Sequence, residues 1–134
     1  MSIKSVLSRC LALILVLAIG LTGCNSSATG LTGNYRDDTL MVLQNLTEAI
    51  ELPQDAPNKS AVIDVARDRM NEYAARYRRD SNYAGLSSFT TMQTAVNSLA
   101  GYYSSYGSRP LPEKLKKRLQ QEFRRVEIAL KRGA

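Results

Sequence analysis

The sequence predicts an all-α protein, an up-down-up-down four-helix bundle that follows a cleaved lipoprotein signal peptide. Three observations lead there. Four stretches place apolar residues three and four positions apart, as one face of a helix requires, and no stretch alternates convincingly with the period of two that a half-buried strand needs. The connections between them, roughly five to eight residues each, favour antiparallel neighbours. A short basic segment and an apolar run precede all four and end at a cysteine.

At the amino terminus Lys4 and Arg9 lead into an uncharged, mostly apolar run that extends to Leu21. A run of about a dozen residues is too short to span a bilayer comfortably, so it reads as the apolar core of a signal peptide. It closes in Leu21-Thr22-Gly23-Cys24, in which two small residues admit a peptidase and the Cys24 thiol becomes the lipid-bearing atom. Residues 1–23 are therefore assigned to the signal peptide and residues 24–33 to the lipidated cysteine and a tether. Asn25 to Gly33 (NSSATGLTG) is small and polar without apolar periodicity, which suits a flexible tether. Cys10 leaves with the signal, so the mature chain has no thiol pair for a disulfide, and residues 34–134 must fold by packing alone.

The first helix is expected near Asn34 to Ile50. It carries Leu40, Leu43, Leu46 and Ile50 on one stripe, has Asp37 and Asp38 early where the helix dipole favours negative charge, and is stopped by Pro53 and Pro57. The second, near Asn58 to Asp80, sets Val62, Val65, Ala66, Met70, Tyr73 and Tyr77 in a broad stripe with Ile63 at its edge. The third runs from Ser87 to Tyr106. Phe89, Met92, Val96, Leu99 and Tyr103 share a face, Ser87 or Ser88 serves as N-cap, and Gly107 ends it. The fourth opens at Pro112 and aligns Leu115, Leu119, Phe123, Val126 and Leu130.

Composition removes most chemistry. The chain has no histidine, and after Cys24 no cysteine, so imidazole bases, thiol nucleophiles and the usual zinc ligands are missing together. There is no glycine-rich phosphate loop. The expectation is a binding protein rather than an enzyme, with no cofactor, no metal and no nucleic-acid partner. On the second helix Asp64, Asp68 and Glu72 form an outward acidic row with Arg67 and Arg76 in pairing distance along the helix. One helix presents carboxylates in a line, whereas calcium needs ligands that converge. The alternative to a protein binder is a manganese or calcium carrier that uses surface carboxylates such as Asp37 and Asp38.

Charge is segregated along the fold. Residues 34–56 hold one basic and five acidic groups, net −4, and residues 111–134 hold eight basic and three acidic groups, net +5. On the fourth helix Lys114, Lys117, Arg118, Arg124, Arg125, Lys131 and Arg132 lie opposite the apolar stripe, a face suited to docking on an acidic surface or simply to solvation. From Ser81 to Ser108 there is no charged residue at all. The outward arc of the third helix is Thr90, Thr91, Thr94, Asn97, Ser98, Gly101 and Ser105, beside Tyr102 and Tyr106. Depletion of charge near tyrosine is how the centre of a protein interface is composed.

Three stretches carry a family likeness: Asn34 to Thr39 (NYRDDT), Tyr73 to Arg79 (YAARYRR), and Ser88 to Tyr103 (SFTTMQTAVNSLAGYY) leading into Arg109 to Pro112 (RPLP). With the signal and the cysteine motif, the sequence closely resembles the photosystem II assembly and repair lipoproteins of oxygenic photosynthetic bacteria. The resemblance implies a lipid-anchored four-helix bundle on the lumenal side of the thylakoid membrane, without catalytic activity. It implies binding to photosystem II intermediates through a lumenal loop of an inner chlorophyll-binding antenna subunit, which favours manganese-cluster assembly and excludes premature binding of extrinsic subunits. The family's signature is no catalytic motif, so contact residues are chosen from charge and position: Asp37, Asp38, Arg78 and Arg79, then Thr94, Ser98 and Tyr102, then Lys117, Arg124 and Arg125.

Overall fold

A computed structural model describes residues 30–134 of the chain. The expected signal peptide, the lipidated Cys24 and most of the tether lie outside the described residues. Those residues form four helices, α1 (Tyr35–Glu51), α2 (Lys59–Tyr77), α3 (Ser87–Tyr106) and α4 (Glu113–Lys131).

Local chemistry sets each boundary. Asn34 is extended and its side-chain oxygen accepts from the Asp37 backbone N–H at 3.1 Å, which starts α1. Leu52 is extended because it precedes Pro53, and that ends the helix. The Lys59 ammonium then donates to the carbonyls of Leu52 (2.6 Å) and Ala49 (3.3 Å), which covers the open C-terminal end of α1. Helix α2 stops at Tyr77, three residues before the expected Asp80. Asp80 instead organises the following turn, its carboxylate accepting from Asn82 N and its carbonyl from Tyr83 N and Ala84 N. Neither serine caps α3: Leu86 occupies the cap position, Ser87 is the first helical residue, and Ser88 is buried with its hydroxyl 2.7 Å from the Tyr35 hydroxyl. Gly107 ends α3 at φ +62°, ψ −134°, a region essentially reserved for glycine. Pro112 sits at the cap of α4, one position before the first turn.

The bundle is up-down-up-down. α1 packs along α2 and α3 along α4, while smaller contacts between α1 and α4 and between α2 and α3 close the ring. Tyr35 at the start of α1 meets Tyr77 at the end of α2, with ring centroids 5.4 Å apart, as antiparallel neighbours must. The core is a single cluster whose fully enclosed members include Leu46, Met70, Tyr73, Met92, Leu99 and Leu119. Two expected core residues are displaced. Leu40 is 38% exposed because Asp38 and Thr39, both fully buried, hold the inward positions of that turn. Val65 is 45% exposed and Ile63 is buried, since the inward line of α2 runs through Ile63, Ala66, Met70, Tyr73 and Tyr77 and leaves Val65 about 100° away from Ala66.

Candidate protein-binding surface

The uncharged row of α3 faces outward as expected. Thr90, Thr94, Asn97, Gly101 and Ser105 are exposed, and Thr91 and Ser98 are half-buried. Part of the row bonds back to its own helix: Thr94 donates to the Thr90 carbonyl and Ser98 to the Thr94 carbonyl, both at 3.0 Å. Such back-bonding lowers the cost of desolvating these hydroxyls, because their donors are already satisfied. At its C-terminal end Tyr102 is half-buried and donates to the Pro110 carbonyl at 2.6 Å, its ring against Tyr106 at 4.9 Å. Tyr106 is 53% exposed, whereas Tyr103 is buried.

Helix α4 lies alongside, and all seven expected basic residues of its outward face are exposed, Lys117, Arg124 and Arg125 among them. Arg118 joins the two helices. It pairs with the buried Glu122 at 3.1 Å and reaches the Ser98 hydroxyl at 3.4 Å. Arg125 and Thr94 line one shallow depression with Thr90, Thr91 and Glu122. The fold thus brings Thr94, Ser98 and Arg125 together as a neutral strip edged by cations.

The other expected contacts divide. Asp37 is exposed at the start of α1, and Arg78 and Arg79 are exposed just past the end of α2, at the same end of the bundle. Asp38 is a correction: it is fully buried and cannot offer itself to a partner. Its carboxylate accepts from the backbone N–H of Thr32 (2.6 Å), the Thr32 hydroxyl (2.8 Å), the backbone N–H of Gly33 (3.0 Å) and, by a short bond, the Tyr77 hydroxyl. Arg76 stands 3.6 Å away. Burial pushes the Asp38 carboxyl up, but the bonds from Tyr77, Thr32 and Gly33 outweigh it and hold it below the usual carboxylate range. The same arrangement corrects the tether, whose last residues belong to the fold: Leu31 is buried in the core, and Thr32 and Gly33 are held by Asp38.

A tyrosine cluster surrounds this latch. Tyr35 stacks on Tyr83 at 4.4 Å, Tyr77 meets both, and Tyr73, its pKa raised far above normal by burial, bonds to Thr39 at 2.9 Å. Nothing in the periodicity signals it, because tyrosines on an apolar stripe read as core.

The acidic row of α2 differs from expectation in its pairing. Arg76 turns to Asp38, and Glu72 pairs with Arg69 at 3.5 Å. Among the described residues no group of three or more His, Cys, Asp or Glu side chains converges, and no helix is long and apolar enough to cross a membrane.

Residues 2–130 match the family model described as Photosystem II Pbs27. The chain belongs to this family. Psb27 relatives cover it almost end to end. It is 65% identical over 131 residues to the Photosystem II lipoprotein Psb27 of Synechocystis sp., which spans 98% of this chain and 97% of that one. It is 58% identical over 123 residues, 92% of each chain, to the Photosystem II assembly factor lipoprotein Psb27 of Thermosynechococcus vestitus. The solution structure of Psb27 from cyanobacterial photosystem II superimposes with a TM-score of 0.75 at 64% identity, covering 81% of this chain and 94% of that one. The Psb27 family fold is thus the four-helix bundle described above.

Proposed function

We propose that this protein is a membrane-tethered photosystem II assembly and repair factor that works by binding and not by catalysis. The lipid on Cys24 holds it at the lumenal face of the thylakoid membrane, and the bundle captures photosystem II intermediates through a lumenal loop of an inner chlorophyll-binding antenna subunit. Occupying that position favours manganese-cluster assembly and keeps extrinsic subunits from binding too early. The names of the Psb27 relatives support the photosystem II setting.

The observation that carries the binding mode is the neutral strip of α3 edged by the cations of α4. Charged groups are costly to bury at an interface, and this strip has none to bury, while Arg118 and Arg125 at its rim, with Lys117 and Arg124 exposed on the same helix, steer an acidic partner and discriminate against a basic one. The carrier reading gains no support, since no carboxylate cluster converges among the described residues and Asp38 is saturated by donors of its own chain.

A pull-down from detergent-solubilised photosynthetic membranes tests the proposal. Retention of photosystem II intermediates that lack extrinsic subunits is the expected result. Retention of nothing, together with stoichiometric manganese or calcium binding by the protein, would replace it with the carrier.

A further inference from the structure

At the end of the bundle away from the tyrosine cluster, the α1–α2 and α3–α4 connections enclose a cavity of about 170 Å³. Gln54, which lines it, ties the two connections together by donating to the Ser108 carbonyl at 2.9 Å. Three cations line it, Lys59, Arg109 and Lys116. Lys59 is committed to carbonyls at the end of α1 through two of its three N–H groups. Neither Arg109 nor Lys116 has a carboxylate within 4 Å among the described residues. The two acids that share the lining, Glu51 and Glu113, are exposed, and Glu51 accepts from Gln120 at 3.4 Å instead.

Two further features are unusual for an idle crevice. Tyr103 lines the cavity and is 3% exposed, yet its buried hydroxyl makes no hydrogen bond within the protein, a state that buried donors rarely occupy. Burial, with a smaller push from Tyr102, raises that hydroxyl to about 12, so it stays a neutral donor at any working pH. The Lys59 ammonium is pushed below its ordinary value by burial and then by repulsion from Lys116. Three cations around one small space, beside a tyrosine whose hydroxyl has no partner, are the complement of an anion.

We propose that this cavity is a carboxylate-binding site that takes one Asp or Glu side chain from an acidic segment of a protein partner. Its volume admits a single side-chain headgroup and falls below what a cofactor or drug-sized ligand needs, which is about 300 Å³ or more. Arg109 supplies a planar fork for both carboxylate oxygens, and Lys116 and Lys59 supply point charges whose mutual repulsion the ligand relieves. The assignment of the segment to photosystem II rests on the proposed function. The site itself does not.

The test uses the ¹⁵N-labelled mature chain, residues 24–134 with Cys24→Ser, and three probes: the blocked peptide acetyl-Gly-Gly-Asp-Gly-Gly-amide, its Asn counterpart, and inorganic phosphate. The Asp peptide should shift the resonances of Lys59, Tyr103, Arg109 and Lys116 and raise the Lys59 ammonium pKa toward its ordinary value. Arg109→Gln and Lys116→Gln, both at side chains that hold no structural bond, should each weaken binding about fivefold. Lys59 is left intact because its loss would uncap α1. Equal shifts with the Asn peptide, or none with either, would overturn the site; tighter binding of phosphate than of the Asp peptide at the same residues would make it an inorganic-anion site and overturn the carboxylate assignment. Because no photosystem is present, failure here is separate from failure of the pull-down.

Discussion

Replacing Asp38 with Asn tests the claim that a buried carboxylate fastens the amino-terminal arm to the bundle. The native carboxylate accepts four hydrogen bonds, two from backbone N–H groups, and Asn offers one acceptor oxygen and an NH₂ that meets donors head-on. Hydrogen bonds to a charged group contribute about 1.5–3 kcal/mol each when measured by deletion. Thr32 and Gly33 are exposed, so water recovers much of their share, while the buried Tyr77 hydroxyl loses its acceptor outright. Arg76 is about half exposed and its pairing counts for little. The expected loss is roughly 3 kcal/mol, or a fall in Tm of about 10–20 °C for a domain of this size. Urea unfolding followed by circular dichroism reads the loss, and amide exchange reads the release of Thr32 and Gly33. The pH dependence has a definite sign. The folded pKa lies below the unfolded value of 3.8, so the unfolded chain takes up the proton first and stability drops as pH falls through about 4 and below. The Asn variant should lack this acid-side decline. A loss under about 1 kcal/mol with the arm amides still protected would refute the latch.

Further outcomes follow from other contacts. Gly107→Ala should cost about 1–3 kcal/mol, all of it backbone strain, since a Cβ there meets nothing within 4 Å; Gly101→Ala, in an exposed helical position with equal space, should stabilise by about 0.5–1 kcal/mol in the same melts. Ser88→Ala should cost about 1–2 kcal/mol because it strands the Tyr35 hydroxyl, and adding Tyr35→Phe should recover part of that in a double-mutant cycle. Cys24→Ser should move the protein from the membrane to the soluble fraction in cells that lack photosystem II. Persistence on the membrane there would remove the lipid anchor from the proposal.

The helices were legible because their stripes repeat over many turns. α3 runs from Ser87 to Tyr106 as the spacing predicts, and the stripe of α4 holds from Leu119 to Leu130. Apart from Leu40 and Val65, which turn outward, what failed was polar. Asp38 and Thr39 look like surface residues of an early helical turn, and only the distant Tyr77, Tyr73 and the arm make them interior. Ser88 looks like a cap and is a buried partner of Tyr35. Each depends on a bond between residues far apart in the chain, which periodicity does not encode. The candidate surface was legible in part, because absence of charge on α3 and its excess on α4 are one-dimensional facts. Their juxtaposition through Arg118, Ser98 and Glu122 is not, nor is the pairing of Lys59 with Lys116 across a cavity.

The most direct measurement compares capture of solubilised photosystem II intermediates by the wild-type protein and by an Asn97→Glu/Ser105→Glu variant. Both positions are exposed on α3, and glutamate favours helix at least as well as the residues it replaces, so the fold should be unchanged. Ser98 is avoided because Arg118 beside it would neutralise a new carboxylate. If the neutral strip is the centre of the interface, burying two unpaired charges should weaken capture at least about a hundredfold while the circular dichroism spectrum and melting curve stay as they were. Undiminished capture by the charged variant would contradict the assignment of this face to the partner.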